Sequence, residues 1–247
     1  MKQFVTALLL LFPLVAMGQQ GSVKYLEATK LEIDLPPEMA HMADELPTSQ
    51  TATKMLMFTE SASLMKDAPA ESDEEGSVDW QTENVHMKIA VAKNESEFFH
   101  DLESGESVEK RNFMGRTFRI AGGDPIQWRL TGEQSEFLGY ACQKAVAERD
   151  SSQIVAWFTP EIPISAGPAG YNGLPGLVLV VDIDDGQRTY TAQEVDLENV
   201  KVDDIKPPKK GKEVSREEFD QIVEEKMKEM GAERSGNRGF KIVVDND

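Results

Sequence analysis

Leu177-Val178-Leu179-Val180-Val181-Asp182-Ile183, followed by Asp184-Asp185-Gly186 and then by Gln187 to Val195, is the stretch that decides the fold class. Leu177, Leu179, Val181 and Ile183 fall on one side of a strand, while Val178 and Val180 make its other side apolar only near the start. Asp185-Gly186 suits the two positive-φ positions of a primed turn, so the spacing predicts an antiparallel hairpin with a two-residue turn. The first strand is expected to begin fully buried and to end half-exposed. Asp182-x-Asp184-Asp185-Gly186 also opens like a calcium loop. Its glycine falls one position early, and Gln193 stands where a bidentate glutamate is needed, so the hairpin explains these residues better.

Upstream lies Trp157-Phe158-Thr159-Pro160-Glu161-Ile162-Pro163, then Gly167-Pro168, then Gly173-Leu174-Pro175-Gly176. The prolines and glycines stiffen and turn the backbone at fixed points between two strand-like segments. This reads as a crossover that delivers Leu177 to Ile183 into the core, with Gly173 and Gly176 making a tight approach to the buried strand.

Short strand-like pieces separated by turn residues continue outward. Ser22 to Ile33, Lys54 to Phe58, Ser61 to Lys66 and Val85 to Val91 read as strands, and Glu38 to Glu45 as a short helix. Asp67 to Gly76 is an acidic loop. Glu97 to Leu102 and Val108 to Phe113 flank Ser104-Gly105, and Arg116 to Ile120 runs into Gly122-Gly123-Asp124-Pro125. Phe137 to Glu148 reads as one run that turns at Asp150-Ser151-Ser152 into Ile154 to Phe158. The pattern predicts a mainly β protein: a single curved antiparallel sheet, a half-barrel or open-barrel-like meander. Pro207-Pro208-Lys209-Lys210-Gly211 reads as a linker. Behind it Ser215 and Glu218 form a capping box, and Phe219, Ile222, Val223, Met227 and Met230 make one stripe of a helix over about 215–230 that Gly231 stops. Phe240 to Val244 is expected as a terminal strand or a disordered tail.

Lys2, the apolar run Phe4 to Val15 and the small residues at Ala16-Met17-Gly18 read as an export signal that is too short to span a bilayer comfortably. The expected division is a signal peptide over 1–18, a β-rich domain over 19–206, and the linker, C-terminal helix and tail over 207–247. The place of residence is then the periplasm or the outside of the cell. A formal charge of −18 opposes contact with nucleic acid and anionic lipid, and no second stretch is long enough to make an integral membrane protein. The single cysteine, Cys142, makes no intramolecular disulfide. Gly139-Tyr140-Ala141-Cys142 reads as a small buried residue on a strand, with reactive or intermolecular use the alternative.

The three histidines, His41, His86 and His100, lie in no motif with a mechanism, and no nucleophile elbow, zinc helix or phosphate loop occurs. No catalytic residue and no cofactor is expected. Met39, His41 and Met42, the pair Met55 and Met57, and His86 beside Met87 set thioethers near imidazoles, the ligand types of a copper(I) site. Core packing is the competing reading of the same methionines. Trp128, Tyr140, Trp157, Phe158 and Tyr171 either fill a core or line a cavity for an apolar ligand on the inner face of a curved sheet.

Ordered blocks resemble the GLPGLI proteins: Trp128-Arg129-Leu130, Phe137 to Ala145, Ala156 to Pro163, Gly167-Pro168, Gly173 to Leu179, and Ile205 to Phe219. Val178 stands where the name motif carries isoleucine. The resemblance implies an exported Bacteroidetes protein with no assigned activity or cofactor. It makes Trp157, Pro160, Pro163, Gly167, Pro168, Gly173, Leu174, Pro175 and Gly176 family markers with a structural role. The expected function is non-catalytic: an envelope protein holding an apolar ligand or a partner protein, with periplasmic copper handling second and a hydrolase with scattered residues third.

Overall fold

Residues 20–31, 33–34, 48–68, 77–81, 86–90, 96–198, 204–229 and 242–243 are described by the computed structural model of the chain. In chain order the strands are β1 Gly21–Lys30, β2 Ile33–Asp34, β3 Ser49–Phe58, β4 Ala62–Asp67, β5 Ser77–Gln81, β6 His86–Ala90, β7 Ser96–Asp101 and β8 Ser107–Phe113. They continue with β9 Arg116–Ala121, β10 Arg129–Phe137, β11 Tyr140–Arg149, β12 Ser152–Thr159, β13 Leu177–Ile183, β14 Arg188–Asp196, β15 Lys212–Ser215 and β16 Ile242–Val243, with helix α1 at Arg216–Glu229. Twelve of these form one sheet in the order β10-β11-β12-β13-β14-β1-β3-β4-β7-β8-β9-β15. It is antiparallel except for β15, which runs parallel to β9. The pairs β5/β6 and β2/β16 stand as two small sheets. The mainly β class with one C-terminal helix is thus the observed one.

The connectivity forces the large sheet to bend. Ten strand spacings separate β9 from β10, which is about 48 Å in a flat sheet. Residues 122–128 nevertheless join the two strands, and such a link reaches at most about 30 Å. A Cβ on Gly123, within that link, would sit 3.7 Å from Ser107 Oγ of β8 and 3.8 Å from Arg149 Nη2 of β11. The two wings therefore face each other, and β10 and β15 remain as edges, so the sheet does not close into a barrel.

The inner face carries the main core: Val23 and Tyr25 of β1, Leu56 and Phe58 of β3, Ala156 and Phe158 of β12, and Leu177, Leu179 and Val181 of β13. Tyr25 is wholly buried and donates its hydroxyl hydrogen to the Val178 carbonyl. At the far wing, Phe219 of α1 packs edge-on against Phe118 at 5.3 Å and Phe113 at 6.0 Å. The capping box forms as read: Glu218 N–H donates to Ser215 Oγ at 3.1 Å, and Ser215 N–H donates to Glu218 Oε2 at 2.9 Å.

Four readings need correction. Phe137 to Glu148 is not one strand, because Leu138 and Gly139 take φ of 52° and 81° and turn β10 into β11. The hairpin after β13 is longer than a two-residue turn. Asp185 and Gly186 do take positive φ, but so does Asp184, and the ladder stops at Ile183 opposite Arg188. Asp184 leaves the ladder to serve β12: its carboxylate accepts from Ser152 Oγ at 2.8 Å and Gln153 N at 2.9 Å. The linker is a strap: Ile205 packs on Met57 and Leu64, Pro208 is buried, and the chain then pairs as β15. Finally, β12 and β13 are direct neighbours, so residues 160–176 are an excursion from one hairpin and not a crossover. The expected helix at Glu38–Glu45, the acidic loop's core and the signal peptide lie outside the described residues.

Candidate functional site

Residues 160–176 leave the end of β12, enter the inner face and return to the start of β13. Ile162, Ile164, Ala166 and Leu174 are all buried in the main core. Tight local bonds hold the path: Ile164 N–H donates to Ile162 O at 2.8 Å, and Ala166 N–H donates to Ile164 O at 2.7 Å. Leu177 N–H donates to Ile162 O at 2.9 Å and Val178 N–H to Ala166 O at 3.0 Å, which stitches the excursion to β13. Trp128 Nε1 donates to Asn172 O at 2.7 Å, tying in the link between the wings. The excursion thus packs its apolar side chains into the core on the concave face of the sheet.

The marker residues divide within it. Gly167 and Gly176 are sites of close backbone approach: a Cβ on Gly167 would meet Tyr171 O at 1.9 Å, and one on Gly176 would meet Thr159 O at 2.1 Å. Pro168 and Leu174 are buried, whereas Pro160, Pro163, Gly173 and Pro175 are exposed. Trp157 is half-buried and packs against Phe137 at 5.6 Å. Phe158 is core, and Trp128, Tyr140 and Tyr171 pack around that core.

One end of the inner face is charged. The register carries the inward phase from Val23 and Tyr25 to Glu27, from Leu56 to Lys54, and from Tyr190 to Arg188, with Glu27 opposite Tyr190. On the neighbouring wing, Ala145 and Ala147 lead in the same phase to Arg149, paired with the buried Ser152. Tyr190 Oη donates to Glu27 Oε1 at 2.8 Å, Lys54 Nζ lies 3.5 Å from Glu27 Oε2 and pairs with Asp67, and Arg188 Nε lies 3.9 Å from Glu27 Oε1. Tyr171 of the excursion brings its ring 6.1 Å from that of Tyr190. Burial pushes the Tyr190 phenol well above its ordinary range, and the Glu27 charge adds to this. Burial also raises Tyr171, against the pull of Arg188 and Arg149. Both phenols are therefore neutral hydrogen-bonding groups at physiological pH.

This site escaped the sequence reading, although a signal existed. Glu27, Lys54 and Arg188 each stand two residues from a buried partner in the same strand phase, and charges at inward positions are rare unless paired.

Of the proposed copper ligands, Met55 and Met57 lie on the opposite face, where Met57 is buried against Leu64 and Ile205 with Met55 beside it. Met39, His41 and Met42 lie outside the described residues, and His86 is placed only as the residue of β6 opposite Gln81. Among the described residues no group of three or more His, Cys, Asp or Glu gathers to hold a metal. Cys142 is buried, and burial pushes its thiol up to about 11. Two surface depressions of about 310 and 120 Å³ are both lined from the outer side, around Lys110 and Pro208 and around Lys24 and Met55.

The excursion and its flanking strands carry the sequence relationship. Residues 144–180 match a family described as "Protein of unknown function (Porph_ging)". The matched segment starts within β11, spans β12 and the whole excursion, and ends inside β13. No curated protein matches the chain in sequence. Among solved structures the fold resembles PNGF-II in its C2 crystal form, with a TM-score of 0.53 and 13% identity over 83% of this chain and 32% of that one. The P21 form gives a TM-score of 0.53 and 14% identity, with 83% and 33% covered. The chain spans about a third of the length of these structures, and at such identity the likeness concerns the fold alone.

Proposed function

We propose that the chain is an exported, non-catalytic binding protein of the bacterial envelope that engages its ligand or partner at the charged end of the inner face. One observation carries the reading: the excursion fills the apolar part of the concavity with Ile162, Ile164, Ala166 and Leu174, while Glu27, Lys54, Arg149 and Arg188 collect at one end. Of the two expected occupants, an apolar ligand thereby loses its space, and a polar ligand or a partner protein keeps a place to dock. Catalysis by Glu27 is disfavoured because Tyr190, Lys54 and Arg188 already surround its oxygens, leaving it poorly placed as a general base. Export rests on the N-terminal signal pattern.

Native mass spectrometry of the protein isolated from the envelope fraction of its own cells tests this. A retained polar molecule or partner chain, lost when Arg188 is replaced by Gln, is the expected result. A co-purifying lipid, a tightly held copper ion or turnover of a substrate would overturn it.

A further inference from the structure

The charged end has a lopsided hydrogen-bond inventory. Its acceptors are committed. Glu27 takes Tyr190 and Lys54, Asp67 takes Lys54, and Asp184 takes Ser152 Oγ and Gln153 N–H. Its donors are not. The one described ion pair of Arg149 is a 3.9 Å contact from Nε to Asp150, a carboxylate that is 78% exposed, and no hydrogen bond within the described residues uses its guanidinium. The Arg149 side chain as a whole is about a third exposed, at 35%, so an arriving group can reach it. Among the described residues, Arg188 is held only by the 3.9 Å approach to Glu27 and by the Tyr190 hydroxyl. The Tyr171 hydroxyl makes no hydrogen bond among the described residues, and both guanidinium groups act on it electrostatically.

A half-buried guanidinium with unfilled donors is satisfied by water or by an anion that matches its fork. Resting on the binding reading above, we propose that Arg149, Arg188 and the Tyr171 hydroxyl form a receptor for one carboxylate group of the ligand. Arginine presents parallel N–H groups that fit the two oxygens of a carboxylate, and a neutral phenol adds a third donor without adding charge. A singly charged group also suits a chain of net charge −18 better than a phosphate carrying nearly two charges.

Acetate and inorganic phosphate, each compared with chloride at equal ionic strength, are the probes. Thermal unfolding of the whole exported chain is followed together with the Nε–Hε resonance of Arg149. Acetate is expected to raise Tm and to shift that resonance saturably. Arg149→Gln and Tyr171→Phe should each abolish the Tm rise, while Lys209→Gln on the outer face should keep it. If Arg149→Gln fails to fold, the saturable shift in the unaltered chain decides. An equal rise in Arg149→Gln, a response to phosphate alone, or a folded chain that ignores acetate would overturn the assignment. A chain that ignores acetate but still retains a partner in native mass spectrometry loses this receptor and keeps the binding reading. A chain that retains nothing loses both.

Discussion

The Cβ that Gly176 lacks would lie 2.1 Å from the carbonyl oxygen of Thr159, so the last residue of the excursion and the last residue of β12 are in backbone contact. All three atoms that this Cβ would meet, Thr159 O and C and Pro160 N, are main chain, and no side-chain rotation relieves the clash. Gly176→Ala is expected to cost about 3 kcal/mol, and Gly176→Val more, read as a fall in the urea midpoint at unchanged slope. An unaltered midpoint in either variant would show that residues 160–176 are not anchored as described.

Lys54 is 8% exposed and serves two carboxylates, Glu27 and Asp67. Lys54→Met removes this cation from both, leaving Glu27 only the 3.9 Å approach of Arg188. Since Asp67 stays partly in water, the loss is set below the full cost of breaking a buried pair, at about 2 kcal/mol. Adding Asp67→Asn should return part of it. A double variant no more stable than Lys54→Met would mean that the two groups are not coupled.

His100 lies in β7 with its Nδ1 buried and lacking a hydrogen-bond partner, and burial holds its pKa below the ordinary 6.5. Below pH 6.5 the unfolded chain therefore binds the proton that the folded chain resists. The stability linked to His100 is whole above that pH and is lost as pH falls through the depressed folded value. Unfolding measured between pH 7 and the onset of carboxylate titration should show this decline in the natural chain and a flatter profile in His100→Gln. Identical profiles would remove His100 from the account.

Burial makes Cys142 a poor nucleophile, its thiol pushed up to about 11 and its side chain covered. Alkylation by iodoacetamide at pH 8 should be at least about a hundredfold slower in the native chain than in urea, from the scarcity of thiolate alone. Rapid stoichiometric labelling of native protein would restore the reactive reading of this residue.

The hairpin, the capping box and most strands were legible because period-two alternation and turn residues are local signals. Strand β10 was not, since nearly every residue from Arg129 to Glu136 is exposed and no alternation marks an edge strand lying against solvent. The strap was misread for a related reason: Pro207-Pro208-Lys209-Lys210 has linker composition, and only the distant Met57 and Leu64 give Ile205 something to cover. Position 176 was legible as a tight approach, but its partner Thr159 was not. The charged end needed two facts at once. Glu27 and Lys54 had to be seen in the phase of Tyr25 and Leu56, and β14 had to be known as the neighbour of β1. The second is a pairing between opposite ends of the chain, which no local pattern encodes.

That pairing has a consequence for biogenesis. Strand β1 is made first and finds β3 soon afterwards, but its other edge waits for residues 188–196. Throughout synthesis of the intervening chain, a strand beginning Gly21-Ser22-Val23-Lys24-Tyr25 shows an open row of backbone donors and acceptors to its surroundings. Nascent molecules are then at risk of pairing with each other before they pair with themselves. A holding chaperone that shields Gly21–Lys30 should raise the yield of folded protein more than one that binds the C-terminal half.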